Sequence, residues 1–406
     1  MRVVAQNWPE LRIGELGDVF TGRTPPTERS SCFGNEYPFI TPGDMHQGMY
    51  ARSTQRLLSF EGAELLKRIK LPANSVCVSC IGWQMGEVVM TDRPSFTNQQ
   101  INTIVPNSRV DPSFLYYSLR TRKQELLSLG SSTGVRTPIL NKSAFCDTKV
   151  VIPPIPTQKR IAGILSAHDE LIENSQRRIK ILETMARALY REWFVHFRFP
   201  GFENQPRVAS PLGEIPQGWE VQPFSALASY VNGYPFKPAQ LGKVGKPIVK
   251  IKELKAGIVA DTPRNLGDEI PKKYNISDGD VLFSWSADLD TYLWMAGDGL
   301  LNQHLFTVLP SDGLSLAFCF HALKESMPRF RALSLGATMH HIKRSALDQV
   351  FTVVPPVTTR RQFENLVVPI HQQLIIHTKH ISNLRRTRDL LLPRLLSGQI
   401  NVEAAD

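Results

Sequence analysis

Val150-Val151-Ile152-Pro153-Pro154-Ile155-Pro156-Thr157-Gln158-Lys159-Arg160-Ile161 and, later, Thr352-Val353-Val354-Pro355-Pro356-Val357-Thr358-Thr359-Arg360-Arg361-Gln362-Phe363 share one pattern. A short β-branched run stops at two prolines, and a long proline-poor segment follows. Consecutive prolines continue neither a strand ladder nor a helix interior, so each stretch predicts a domain-closing strand and then a new helix. The stretches lie 202 positions apart (355 − 153 = 202), and the same offset relates Gly134 to Gly336, Ser143 to Ser345, Leu165 to Val367 and Leu182 to Leu384. Upstream the offset drifts, from 211 at Trp8/Trp219 and Gly22/Gly233 to 204 at Asn98-Gln99/Asn302-Gln303. A period of about 200 residues is too long for a solenoid unit, and each copy is large enough to hold its own core.

The segments beyond the diprolines read as long helices. From Thr157 to about His196 the only glycine is Gly163, and there is no proline. Ile161, Leu165, His168, Ile172, Ser175, Leu182 and Leu189 form a heptad-like stripe, answered by Phe363, Val367, Ile370, Leu374, His377, Leu384 and Leu391. These residues are the expected coiled-coil core. Antiparallel pairing about a local twofold sets Ser175 against His377 as a polar, register-fixing layer, with His377 otherwise a satisfied core histidine. Pro369 is expected to kink the second helix and Pro393 to break its last turn. The stretch between the first helix and Trp219, rich in proline and glycine, is expected to be irregular. The segments before each diproline mix short apolar runs with turn residues, which predicts α+β domains dominated by strands and loops.

Composition narrows the function classes. The chain has 406 residues with 42% apolar content, enough for two domains, and a net charge of +10 suits a polyanionic partner. Charge alone does not decide the matter, since basic proteins are common. The five cysteines are sparse and odd in number, with no signal-peptide pattern, so a reducing cytoplasm is expected. Cys77 and Cys80 lie in an apolar strand-like run without a second pair or nearby histidine, which argues against a zinc site. No apolar run approaches the roughly 18 residues of a membrane span. Catalytic motifs are missing as well. Gly242-Lys243-Val244-Gly245-Lys246-Pro247 has the wrong spacing for a phosphate loop, and both diprolines have aliphatic flanks rather than those of an amino-methyltransferase. Asp147-Thr148-Lys149 and Glu253-Leu254-Lys255 are nuclease-like tripeptides of a kind frequent by chance. The residues describe a binder.

Several motifs, in order, carry a family resemblance: Thr21-Gly22-Arg23-Thr24-Pro25, Pro38-Phe39-Ile40-Thr41-Pro42-Gly43-Asp44, Asn98-Gln99, the first diproline stretch, Leu212-Gly213-Glu214-Ile215-Pro216-Gln217-Gly218-Trp219, and Leu391-Leu392-Pro393-Arg394-Leu395-Leu396-Ser397-Gly398. The chain resembles a specificity subunit of a type I restriction–modification enzyme over essentially its full length. The resemblance implies target-recognition domains at 1–156 and 219–356, a central helix at 157–197, a linker at 198–218 and a C-terminal helix at 357–406. It implies two similar domains joined by an antiparallel coiled coil, reading a bipartite double-stranded DNA site whose spacer the helices set. It implies no catalysis and no cofactor on this chain. Two modification subunits would methylate adenine with S-adenosylmethionine, and restriction subunits would use ATP and Mg. Arg23, Tyr234 (its counterpart in the second copy) and Thr359-Arg360 depart from the usual motifs.

Base edges are read by forked donors and amides, phosphates by cations and backbone N–H groups. The candidates are Arg23, Thr24, Arg29, Gln47, Arg52, Trp83, Gln84, Arg136 and Asn141 in the first copy. In the second they are Asn232, Tyr234, Lys237, Lys250, Lys252, Trp285, Asp288, His340 and Lys343. Residues shared between two readers of different sequences suit structural or phosphate roles, so unshared positions such as Gln84 and Arg136 are the expected base readers. Two other readings stay open: a restriction enzyme with a nuclease site hidden in one repeat, and a coiled-coil scaffold with basic protein-binding domains.

Overall fold

The computed structural model describes residues 8–46, 48–131, 137–286, 288–333 and 342–402. The chain forms two compact units, Met1–Glu173 with Asn383–Asp406, and Asn174–Ser382. Each unit takes part of both long helices.

In the first unit a four-stranded antiparallel sheet holds β1 (Gly17–Thr21), β2 (Val76–Ser79), β3 (Val88–Met90) and β4 (Ile101–Pro106) in the order β1-β4-β2-β3. A smaller sheet pairs Phe33–Ile40 antiparallel with Arg56–Leu58 and parallel with Phe96–Thr97. Glu10–Arg12 pairs with Lys149–Val151, the strand before the diproline, so the start and end of the domain are joined. Helix α1 (Pro112–Arg120) begins at Asp111, whose carboxylate accepts from Phe114 N. Helix α2 (Ile155–Phe194) starts with Pro156 in its first turn, where a missing N–H leaves no helical bond unmade.

The second unit repeats this plan. Its four-stranded sheet holds β5 (Ala228–Asn232), β6 (Val281–Ser284), β7 (Asp290–Leu293) and β8 (Leu305–Pro310) in the order β5-β8-β6-β7. Lys246–Val249 pairs parallel with Gly299–Leu301, and Glu220–Pro223 pairs with Phe351–Val354 before the second diproline. Helix α3 (Leu316–Ala332) is capped by Ser315, whose hydroxyl accepts from Phe318 N. Helix α4 (Val357–Leu396) runs through Pro369 and Pro393 without a break, contrary to the expected interruption at Pro393. Both prolines are exposed, so each costs one backbone bond on the solvent side while the buried stripe holds the helix. The linker is also more regular than expected: Arg207–Ser210 and Gly213–Pro216 form a hairpin closed by a two-residue turn.

The stripes pack antiparallel in each unit. In the first, Ile161 and Leu165 share a core with Leu392, Leu395, Phe114 and Leu115. In the second, Tyr190 and Phe194 lie on Phe363, with ring centroids 6.0 and 4.8 Å apart. Of the expected core residues, Ile161, Leu165, Ile172, Ser175, Phe363, Val367 and Leu374 are buried, while His168, Leu182, Leu189, Ile370, His377, Leu384 and Leu391 are half-buried. His377 is not a satisfied core histidine: its Nδ1 is buried without a hydrogen-bond partner. Burial, reinforced by Arg178, pushes its pKa down. Among the described residues no helix is long and apolar enough to cross a membrane.

Candidate nucleic-acid interface

The topology of the larger sheets gathers the motif-bearing loops. In an antiparallel order β1-β4-β2-β3, the end of β1, the start of β4, the end of β2 and the start of β3 lie at the same edge. Residues 22–29, 98–100 and 80–87 therefore emerge side by side. The same reasoning brings 233–237, 302–304, 285–286 and 288–289 together in the second unit.

The repeated residues frame these loops. Gly22 N bonds Ile101 O at 3.0 Å and Arg23 N bonds Thr97 O at 2.9 Å; in the second unit Gly233 N bonds Leu305 O at 3.0 Å and Tyr234 N bonds Leu301 O at 2.8 Å. A Cβ on Gly22 would lie 2.1 Å from Asn98 O, and one on Gly233 would lie 2.2 Å from Asn302 O. Only glycine lets the Asn-Gln turn sit this close, which explains why the glycine and the turn recur together. Asn98 and Asn302 are buried, and their N–H groups bond Ile40 O and Val249 O of the smaller sheets, each at 3.1 Å. The shared asparagines are thus structural.

The unshared residues occupy the tips. Arg23 is exposed, and Thr24 Oγ1 donates to Gln99 Oε1 at 2.7 Å. Trp83 is 74% exposed beside the exposed Gln84, an unusual cost for an indole that does not pack. In the second unit Asn232 and Lys237 are exposed, as is His304, which faces the Trp285 ring at 6.3 Å. Lys343 is exposed next to Ile342, whose N–H bonds Trp285 O at 3.1 Å. The sequence reading passed over His304 because a lone histidine beside a framework turn carries no motif.

Other candidates have different employment. Arg29 pairs with Glu61 at 2.7 Å. Arg52 lies by the far end of β3, bonded to Tyr50 O, and its guanidinium pairs with Glu173 of α2. Asn141 caps a short helix, its Oδ1 accepting from Ala144 N at 2.9 Å. Tyr234 packs edge-on against Phe236 and Tyr274. Trp285 is half-buried against Phe306. Lys250 is half-buried at the start of the helix Ile251–Ala256, and Lys252 pairs with Asp261 at 2.7 Å. Asp288 is held by Lys255 at 2.8 Å, which lowers its pKa. Gln47, Arg136 and His340 lie outside the described residues. Cys77 and Cys80 are buried free thiols pushed up to about 12 by desolvation, and no cluster of three or more metal-ligating side chains occurs among the described residues.

Residues 5–184 match the family described as Type I restriction modification DNA specificity domain. The chain is 25% identical to the type I restriction enzyme MjaIX specificity subunit of Methanocaldococcus jannaschii, over 98% of this chain and 95% of that one. It is 36% identical to the HindI specificity subunit of Haemophilus influenzae over 37% of this chain and 33% of that protein. Its fold is similar to the crystal structure of the type I restriction–modification S subunit from M. genitalium, with a TM-score of 0.65 and 16% identity, covering 100% of this chain and 99% of that one. Two α+β domains on long helices and repeated framework glycines accord with these relatives: the chain is similar over nearly its full length to type I restriction–modification specificity subunits, and its residues 5–184 match the DNA specificity domain of that family.

Proposed function

We propose that the two loop clusters read the two halves of a bipartite double-stranded DNA site. One observation carries this reading: the same loops leave the same edge of the same sheet in both units, with shared residues in the frame and different residues at the tips. A common frame presents two readers, and the tips give each its own sequence. The net charge of +10 supplies the phosphate attraction that any such reader needs. Arg23, Gln84 and Trp83 are the readers in the first unit; Asn232, Lys237, His304 and Lys343 are those in the second. The long helices set the unread spacer. This chain performs no chemistry itself. It works in the cytoplasm with two modification subunits, which methylate adenine from S-adenosylmethionine, and with restriction subunits using ATP and Mg.

Methylome sequencing of the host with and without this chain tests the proposal. A bipartite adenine mark that disappears with the chain and returns on complementation is expected. An unchanged methylome in a host whose modification subunits are active would overturn it, as would Mg-dependent cleavage of DNA by the purified chain.

A further inference from the structure

The two units join their domain to the long helices at equivalent places but with different chemistry. Aligning the caps Asp111 and Ser315 sets Tyr117 of α1 against His321 of α3, and Arg120 against Lys324. The constant offset of the long helices sets Asp169 against His371 and Arg388 against Ala186 (388 − 186 = 202). In the first unit Tyr117 Oη donates to Asp169 at 2.7 Å; in the second the Nε2 atoms of His321 and His371 lie 3.0 Å apart. The neighbouring ring pairs match too, Tyr116–Tyr117 and Phe320–His321 both having centroids 4.9 Å apart.

One element of the joint has no counterpart. In the first unit Arg388 reaches in and pairs with Asp169, its side chain only 9% exposed. In the second unit the equivalent residue is Ala186, and beside it opens a cavity of about 560 Å³ lined by Tyr190, His321, His371, Trp294 and Glu183. Its volume lies within the range of small-molecule sites, and its walls are mostly apolar, with Tyr190, Tyr292, Trp294 and Phe320 among them. The neighbouring charges are mostly committed. Lys324 bonds Asp290 at 2.7 Å, and Glu325 pairs with Arg191 at 3.3 Å. Glu183, one turn before Ala186, lines the cavity but is exposed on its helix; it has no ion-pair partner among the described residues, and partial desolvation raises its pKa despite Lys324 and Lys180 nearby. Position 186 thus lacks the cation that the first unit has at Arg388; the cations that do line the cavity, Lys324 and Arg187, are paired with Asp290 and Glu325, and Glu183 with the aromatic side chains is left to receive another.

We propose that this cavity binds a guanidinium group on an apolar stem, taking the place in the second unit that Arg388 takes in the first, with Glu183 as its counter-ion. The group is either an arginine side chain of a partner polypeptide or a small free guanidine. The proposal is independent of which DNA bases are read.

Calorimetry of the full chain with phenylguanidine, against the uncharged isostere phenylurea, provides the test. Phenylguanidine is expected to bind about tenfold tighter or better, the size of one charge-assisted bond. Glu183→Gln should erase that preference. Ala186→Arg should abolish binding by filling the cavity from within, as Arg388 does in the first unit, and Ala186→Leu repeats the block if the arginine variant fails to fold. Absence of binding at about 10 mM probe, equal binding of the two compounds, or undiminished binding by well-folded Ala186 variants would each overturn the proposal. Repeating the titration on the chain assembled with its modification subunits separates the sources: lost probe binding assigns the cavity to a partner arginine, retained binding to a free guanidine.

Discussion

Replacing Arg388 with methionine isolates the electrostatic part of the first joint while keeping most of the side-chain volume. Arg388 and Asp169 are 9% and 14% exposed, so their pairing is made largely out of water. Removing one partner of a buried pair costs about 3–5 kcal/mol, because the remaining charge is stranded. Here Asp169 would keep the Tyr117 hydroxyl at 2.7 Å and Arg120 at 3.9 Å, so a cost somewhat below that range, about 2–3 kcal/mol, is expected. Asp169→Asn in the same background removes the stranded charge but still accepts from Tyr117. The double variant should therefore be about 1–2 kcal/mol more stable than Arg388→Met alone. Hydrogen exchange read by mass spectrometry suits a two-unit chain, for which a single melting temperature is ill-defined. Peptides from α1 and from the two helix ends at 161–172 and 384–396 should lose protection by roughly 30-fold in Arg388→Met, the equivalent of about 2 kcal/mol. Peptides from α3 should not change. Unaltered protection in the first unit, or a double variant worse than the single one, would refute the reasoning.

Other consequences follow from the same geometry. Gly22→Ala should force the Asn98 turn away at a cost of about 1–3 kcal/mol and lose recognition of one half-site, and Gly233→Ala the other, as methylation of half-site variants would report. Gln84→Ala and Arg23→Ala should relax sequence preference in one half-site only; uniform weakening on all DNA would reassign them to phosphate contact. Burial lowers the pKa of His321 to about 3 and that of His371 to about 4, from 6.5. The unfolded chain therefore binds more protons between these limits. The second unit should have its full stability above pH 6.5 and lose it as pH falls towards 4, and His321→Gln/His371→Gln should flatten that profile in acid unfolding. Iodoacetamide at pH 8 should leave Cys77 and Cys80 unlabelled in the native protein, since both thiols are buried and pushed up to about 12.

What was legible in the sequence was local or repeated. The diproline stops, the helical stripes and the offset between copies depend on residues close in the chain, or on identity between two copies folding alike. They located the central helix and the start of the C-terminal one to within a few residues, though the latter ends at Leu396 rather than running to 406, and they located the loops around Gly22 and Gly233. Side-chain chemistry alone does not separate free groups from engaged ones, because a charge on paper carries no partner. Arg29, Arg52 and Lys252 are paired with Glu61, Glu173 and Asp261, and Asn141 caps a helix. Proline statistics also misjudged the last turn of α4, which continues through Pro393 because a buried stripe outweighs its missing N–H.

Tertiary structure decided the rest. Strands of three to six residues are too short to declare their partners, and only their antiparallel order brings three separate loops to one edge. The helix stripe likewise shows which face is buried but not what lies against it. That Arg388 fills one joint while Ala186 leaves the other open is visible in the repeat as a bare difference of residues. It becomes a cavity with an unpaired acid only when α3, α2 and α4 close around it, because what a side chain is worth depends on the water it loses and the partner it finds.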